Sequence, residues 1–570
     1  MTIFLTSCAT RHAGLTLVDH GTSVYRVVVA HNAGAAELSA ATELQLHLKE
    51  MTGVELPIVP APADGPAIRL FSSATLGEEE FLIRTSGSDL NITGGVPRGV
   101  LYGVYSLLED DLGVRWLTSY STHIPKRDRV SLPPLNRRDK PAFAYRDAFF
   151  FDYRQVPFVA RRRVNGYQTA ISAEWGRQFP WANPPHHTML WLLPEAKYFQ
   201  EHPDYYMLSP EGKRVPLAYC YANPGTLAAV TAELKAWMRR QPDKRYFSVT
   251  QPDWNHHCVC PACSEAIAVA GSPQGAMLPF INRLAENIRD EFPHNKIVTF
   301  AYAYTLPPPT NAITPRANVV IQCALLTAPG EARAALERWM KISPTVFVWD
   351  YYTGFSHFIV PFPNLYWMAG TIRGFRDLGV EGVLGQGNYA SYGGGLNDLQ
   401  GYLLSKLLWN PDTDARATIA EFIRLHYGPA AKPIQEYTDL IHQGFERISM
   451  FATEDDWKSW QAAPRDPAWK DTLAKWWNFT DPTIYLGPAR MEKYVALFDE
   501  AERLVADQPE YLRRVKLARM QIQTIQIQTL PPGPARDAVI RDYFQTAADW
   551  NIIWYGEHKT LAQFRQELGL

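Results

Sequence analysis

Eight short apolar segments recur between Tyr145 and Asn388, and a chain with that spacing is constrained to alternate strand with helix. They fall near Tyr145–Phe151, Val164–Tyr167, Met189–Leu193, Tyr246–Thr250, Ile297–Tyr302, Val319–Leu325, Val346–Trp349 and Gly382–Gly387. The last five are β-branched or aromatic runs with helical stretches between them; the first three are weaker. The pattern predicts an α/β protein whose centre, residues 138–410, is a (β/α)8 TIM-type barrel.

At 570 residues the chain exceeds what one hydrophobic core supports, so flanking domains are expected. Residues 21–137 read as a small N-terminal α/β domain. A strand at Tyr25–Ala30 precedes a helix with Ala41, Leu44, Leu48 and Met51 on one face, stopped at Gly53. A second strand, Asp89–Thr93, leads into a helix carrying Val100, Val104, Leu107, Leu108 and Leu112, with Gly113 as its stop. Pro133–Pro141 reads as a linker. Residues 411–570 are expected to be α-helical to the end, with Leu497, Ala501 and Leu504 in register on one helix. Leu512, Val515, Ile522 and Ile525 line another.

The first 20 residues read as an export-signal remnant or a disordered leader. Leu5–Cys8 resembles the site at which a bacterial lipoprotein is cleaved and lipidated, although no basic segment precedes it. The expectation is an extracytoplasmic lipoprotein, at the periplasm or cell surface, anchored through Cys8 behind a truncated signal. The alternative is a frayed N-terminus with a chance match.

A net charge of −2 and a longest basic run of Arg161–Arg163 leave no footprint for nucleic acid. No stretch approaches the ~20 apolar residues of a membrane span, so membrane contact is expected only through Cys8. The excess is in aromatics, 17 Trp and 28 Tyr, whose flat rings stack on sugar faces when they are not simply core.

Two of the predicted strands run into an aspartate beside aromatics. Asp253 follows strand four and Asp350 ends strand seven, and these strands face each other across a barrel mouth. Two carboxyl groups facing an aromatic cleft are what hydrolysis of a glycosidic bond requires. Asp253 is read as the general acid, with Trp254 excluding water beside it, and Asp350 as nucleophile, base or orienter of the substrate. An aspartate at a strand end equally caps the next helix or turn. Expected substrate contacts are Arg146, His187, Trp254, Tyr302, Tyr304, Trp349, Tyr351, Gln386 and Asn388. Gly385 and Gly387 either admit a ligand close to the backbone or make a tight turn. No cofactor and no catalytic metal is called for.

The run His256–Cys263 is the densest group of soft ligands. Cys258, Cys260 and Cys263, with a histidine or the distant Cys220, supply the four ligands of a structural zinc. In an exported protein the same thiols pair as disulfides. Both readings stay open, and both pin the loop behind Asp253.

Pro97–Trp116 resembles the end of the N-terminal domain shared by bacterial alpha-glucuronidases and beta-hexosaminidases. Lys197–Tyr206, Cys220 with Asn223 and Pro224, Cys258–Cys263 and Leu403–Asp412 are similar to the barrel family known as domain of unknown function 4838. The resemblance spans roughly residues 25–440. It implies the fold above and a relation to endo-beta-N-acetylglucosaminidases of glycoside hydrolase family 163, which act on N-glycans. The chain departs from the pattern at Pro252-Asp253, where the family often has Asn-Asp. No glutamate neighbours Asp253, as one usually would in hexosaminidases that use the substrate's own N-acetyl group. The expected function is therefore hydrolysis of a complex glycan at an N-acetylhexosamine. An alpha-glucuronidase-like hydrolase is second, with Arg146 and Arg161–Arg163 as the only hints of a clamp for a uronate. A non-catalytic glycan-binding lipoprotein is the alternative from another class.

Overall fold

The computed structural model describes residues 14–326, 329–443, 445, 448–473 and 481–570; Cys8 and its surroundings lie outside them. The chain divides into two compact units. The first holds the residues up to Ala142 together with Tyr153–Asn165 and Thr169–Gln178; the second holds the remainder.

In the first unit the predicted helix spans Ala35–Thr52. Glu37 stands in its first turn and accepts the Gly34 N–H (3.0 Å), while Gly53 (φ 81°) ends it in the left-handed region that glycine adopts without strain. Ala41, Leu44, Leu48 and Met51 are all buried. This helix and a second, Gly99–Ser106, lie against a six-stranded mixed sheet. Its order is Asn136–Asp139, Phe81–Ser86, Asp89–Gly95, Ala67–Ser73, Arg26–Val29 and Ile58–Pro60; the last four pair in parallel. The basic triplet belongs to this unit's interior: Arg161 makes a two-pronged pair with Glu43 (2.7 and 2.9 Å), and Arg162 and Arg163 share Glu109 (3.0 and 2.5 Å). These cations balance buried carboxylates, so the triplet is no clamp for an anionic sugar.

The second unit is built on a curled parallel sheet of six strands. In spatial order they are Tyr145–Phe149, Gly382–Gln386, Val346–Tyr351, Val319–Ala324, Lys296–Tyr302 and Tyr246–Ser248. These are strands one, eight, seven, six, five and four of the predicted series. Strands two and three are not found. At the second position the Tyr167 N–H donates to the carboxylate of Asp147 (3.1 Å), so a side chain takes the donor that a strand ladder would use. Gly166 packs so tightly there that a Cβ would fall 2.2 Å from both Asp147 oxygens. Met189–Leu192 is a helical turn rather than strand three: Met189 and Leu192 are buried while Trp191 between them is exposed, a spacing of three rather than two. The place beside strand four is taken by Phe179–Ala182, which makes one parallel bridge, Trp181 to Tyr246. Pro180, Pro184 and Pro185 lack the N–H groups that would extend it.

Helices follow the strands as expected: Pro224–Arg240, Gln274–Arg289, Pro329–Ile342, Leu365–Leu378 and Asn397–Trp409. Further helices run to Asp549, with Ala501, Val515, Ile522 and Ile525 buried on the predicted faces. The expectation of helix to the very end fails after Asp549, where Trp554–Gly556 and Lys559–Thr560 form an antiparallel hairpin before a last helix, Leu561–Glu567.

Alternation along strand one puts Tyr145, Asp147 and Phe149 on the inner face. Burial pushes the Asp147 carboxyl up to about 6, opposed by hydrogen bonds from the Tyr145 hydroxyl (3.0 Å) and the Tyr167 amide. Because its folded pKa is raised, Asp147 favours the folded state when protonated. That contribution is complete below the ordinary carboxyl range and lost as pH rises through about 6. Asp147→Asn removes the titration, so its stability relative to the native protein should rise between pH 4 and pH 7, by up to about 3 kcal/mol. Urea unfolding at the two pH values measures it, and a difference independent of pH would contradict the burial argument.

Candidate active site

The inner face of the curled sheet carries the rings that form the site's floor. Strand seven contributes Phe347, Trp349 and Tyr351, and strand five contributes Phe300 and Tyr302. Below the mouth, Tyr145, Phe179, Trp181, Tyr246 and Phe347 fill the interior with ring centroids 4.6–6.4 Å apart. Above them a cavity of about 340 Å³ opens. Its aromatic walls are Phe149, Tyr167, Phe300, Trp349, Phe355 and Tyr389, and its polar groups include His187, Asp253, Tyr302, Gln386 and Glu557.

Six of the predicted site residues therefore meet: His187, Asp253, Tyr302, Trp349, Tyr351 and Gln386. The Tyr302 hydroxyl donates to Asp253 Oδ1 (2.7 Å), and burial together with that carboxylate pushes the phenol well up, so it remains a donor. Trp349 Nε1 donates to Gln386 Oε1 (2.8 Å), which fixes the amide with its NH2 group free to donate. His187 bonds the Gln251 carbonyl (2.8 Å) and so ties the wall to the loop that carries Asp253. His186 also lines the cavity, stacked on Phe300; burial pushes it down to about 3, so it is a neutral ring above that pH.

Five predicted residues are not part of this cavity. Asp350 is the most consequential. In a strand of period two it lies between Trp349 and Tyr351, so when those rings face inward the carboxyl faces the helix layer. It lines a separate small cavity with Leu325, Trp367, Thr371 and Ile448. There Oδ1 accepts the Tyr351 N–H (3.0 Å), and burial pushes the group up to about 6. Arg146, between Tyr145 and Asp147, is outward for the same reason: it is fully buried, donates to the Phe143 carbonyl (2.7 Å) and lies over the Trp409 ring. Trp254 is 40% exposed and its indole donates to the Leu217 carbonyl, so it does not shield Asp253. Tyr304 stacks on His257, outside the cavity. Asn388 is a turn residue whose Oδ1 accepts the N–H groups of Ala390 and Ser391. The strand-eight glycines serve packing: a Cβ on Gly385 would strike Leu404 and Tyr352, and one on Gly387 would strike Phe150.

The second carboxylate of the cavity is Glu557, which the sequence reading missed. It sits at the turn of the C-terminal hairpin and accepts the Tyr389 hydroxyl (2.8 Å). The hairpin is held against the loop after strand seven by backbone bonds, Glu557 N–H to Phe355 O and Phe358 N–H to Tyr555 O, both 2.7 Å. Gly556 makes that approach possible, because a Cβ there would lie 2.4 Å from the Ser356 carbonyl oxygen. Asp253 and Glu557 both line the cavity, together with Tyr302 and Tyr351. Among the described residues, no lysine or arginine lines the cavity.

The four loop cysteines, Cys220, Cys258, Cys260 and Cys263, are buried free thiols whose sulfurs all lie within 4.8 Å of one another. The Cys220–Cys260 separation is 3.7 Å, against about 2.05 Å for a disulfide, so the disulfide reading is not met.

An inward aromatic floor and a mouth at the carboxyl ends of parallel strands belong to a mixed α/β fold, and that fold is similar to the folds of solved glycoside hydrolases. A solved family GH115 4-O-methyl-alpha-glucuronidase with specificity for decorated arabinogalactans shares it, with a TM-score of 0.59 at 12% identity over 95% of this chain and 78% of that one. The GH20 beta-N-acetylhexosaminidase from Streptomyces coelicolor aligns at a TM-score of 0.43 and 14% identity, over 72% of this chain and 94% of that one. No curated protein matches the sequence. The family described as a domain of unknown function (DUF4838) matches residues 116–439, and the chain belongs to it.

Gly556→Ala tests how the hairpin is seated. The forced contact with backbone should cost about 1–3 kcal/mol of stability. Thermal unfolding reads this directly, and an unchanged midpoint would show that the hairpin is not held where Gly556 allows.

Proposed function

We propose that the protein is a glycoside hydrolase that cleaves a complex glycan at an N-acetylhexosamine, as endo-beta-N-acetylglucosaminidases of family 163 do. Asp253 and Glu557 are its two carboxylates. The observation that carries the reading is the composition of the cavity: two carboxyl groups and a polar tyrosine–glutamine set inside aromatic walls, without a lining cation among the described residues. Aromatic faces take the apolar faces of sugar rings, and the polar groups take hydroxyls or an amide.

Asp253 serves as the general acid. Tyr302 holds Oδ1, which leaves Oδ2 to deliver a proton to the departing glycosidic oxygen. Glu557 serves as its partner. Tyr389 holds Oε1, and Oε2, 3.8 Å from His558 Nε2, is the oxygen that attacks the sugar carbon, activates water or orients the substrate's N-acetyl group. The Gln386 NH2 group supplies a donor for charge that develops on an amide oxygen. The cavity disfavours a uronic acid. A carboxylate sugar entering beside two acidic groups would be repelled, and Arg146 and Arg161–Arg163 are already engaged, the first with the Phe143 carbonyl and the others with Glu43 and Glu109. The leader at Leu5–Cys8 supports an extracytoplasmic lipoprotein, where complex glycans are encountered.

The experiment is turnover of a released-glycan panel containing N-acetylhexosamine and uronate members. Products from the former and none from the latter are expected. Binding without product from any member would favour a glycan-binding protein instead. Asp253→Asn and Glu557→Gln should each lower kcat on a natural glycan by about 100-fold or more. On an aryl glycoside with a good leaving group, Asp253→Asn should recover most of its rate and Glu557→Gln should not. Folded variants that both run at near-native rates would remove the assignment.

A further inference from the structure

We propose that Cys220, Cys258, Cys260 and Cys263 bind one structural zinc ion that fixes the loop carrying Asp253. The four sulfurs come from two separate pieces of backbone, Cys220 and the run Cys258–Cys263. Cys220 follows the strand Arg214–Tyr219, Cys258 and Cys260 lie in the loop after strand four, and Cys263 is in the helix Pro261–Ala270. Bringing the distant Cys220 onto a run of three buried thiols, with no disulfide between them, leaves little for them to do except share a ligand. The spacing fits a single ion. Zinc–thiolate bonds of about 2.3 Å in a tetrahedron put the sulfurs about 3.8 Å apart. Cys220 and Cys260 are 3.7 Å apart, and no pair exceeds 4.8 Å. An iron–sulfur cluster does not fit, because its cysteines bind different irons and stand farther apart.

The surroundings are those of a thiolate site. The Leu208 N–H points at Cys258 Sγ (3.3 Å), and Arg214, held by the Tyr206 carbonyl (2.7 Å), starts the strand that ends beside Cys220. Cys260 is the N-cap of the helix Pro261–Ala270, where the dipole favours negative charge. Such groups orient the ligands and offset the charge of four thiolates on a divalent ion. Binding releases the thiol protons, and with four protein ligands no position is left for water, so the ion is structural. It would join the hairpin Tyr206–Leu208/Arg214–Tyr219 to the start of the helix, with Asp253 five residues before the first loop ligand. The inference stands whether or not the protein cleaves glycans.

The test is elemental analysis of the whole chain purified without chelator or added metal. About one zinc per chain is expected. Titration with a mercurial thiol reagent should release it stoichiometrically, and cobalt exchanged into the site should show the intense visible bands of tetrahedral thiolate coordination. Cys260→Ser should lower zinc content at least several-fold, whereas Cys323→Ser, at a buried thiol outside the group, should leave it unchanged. If Cys260→Ser fails to fold, the stoichiometry and cobalt spectrum of the native protein still decide. Less than about a tenth of a zinc per chain, one iron in its place, or a native mass short of two hydrogens for each of two disulfides would overturn the proposal.

Discussion

Tyr145 and Tyr246 stand on the two edge strands of the parallel sheet, and the rings of Phe179 and Trp181 touch both. This contact is what the second unit depends on. Six parallel strands leave two open edges, and an exposed parallel edge buried on both faces has no stable place in water. Here the edges are bridged by tilted and edge-on rings rather than by a continuous ladder, with one backbone bridge at Trp181. Because those side chains hold the sheet's curl, they also decide which residues converge at its upper end. The site inherits its shape from this packing before any polar group is considered.

On that floor the polar groups divide cleanly. Each carboxylate of the cavity is held by one tyrosine hydroxyl, and the single amide is held by a tryptophan. A hydrogen bond to one oxygen fixes the direction of the other, so both carboxyl groups are aimed by neighbours that need not ionise. His186 adds shape without charge.

How much of this was legible in the sequence depends on the range over which the signal acts. Strands four to eight and both N-terminal helices were readable because apolar period and glycine stops are local. The second and third strands were misread because a short apolar run looks alike in a strand, a loop or a helical turn. Asp147 captured the Tyr167 amide, and Met189–Leu192 closed a helical turn, through contacts no window of sequence displays. Asp350 and Arg146 failed through parity alone: strand ends were located correctly, but which alternate residues face inward depends on register with neighbouring strands. Asp350 could have been questioned, since Trp349 and Tyr351 beside it cannot share its face. Glu557 carried no signal, lying among helices and meeting Tyr389 from 168 residues away.

The hairpin that delivers Glu557 is moored by main-chain bonds to Phe355 and Phe358, with a glycine at the point of closest approach. Backbone groups are the same whatever side chains they carry, so the mooring is blind to most substitutions on either strand. It is sensitive to spacing instead. One residue gained or lost between Asp549 and Glu557 would rotate the turn and send a different side chain into the cavity. Relatives that keep this geometry should show drift in letters but constancy in length across that interval. The second acid would then be found by counting positions from the last long helix rather than by matching a motif.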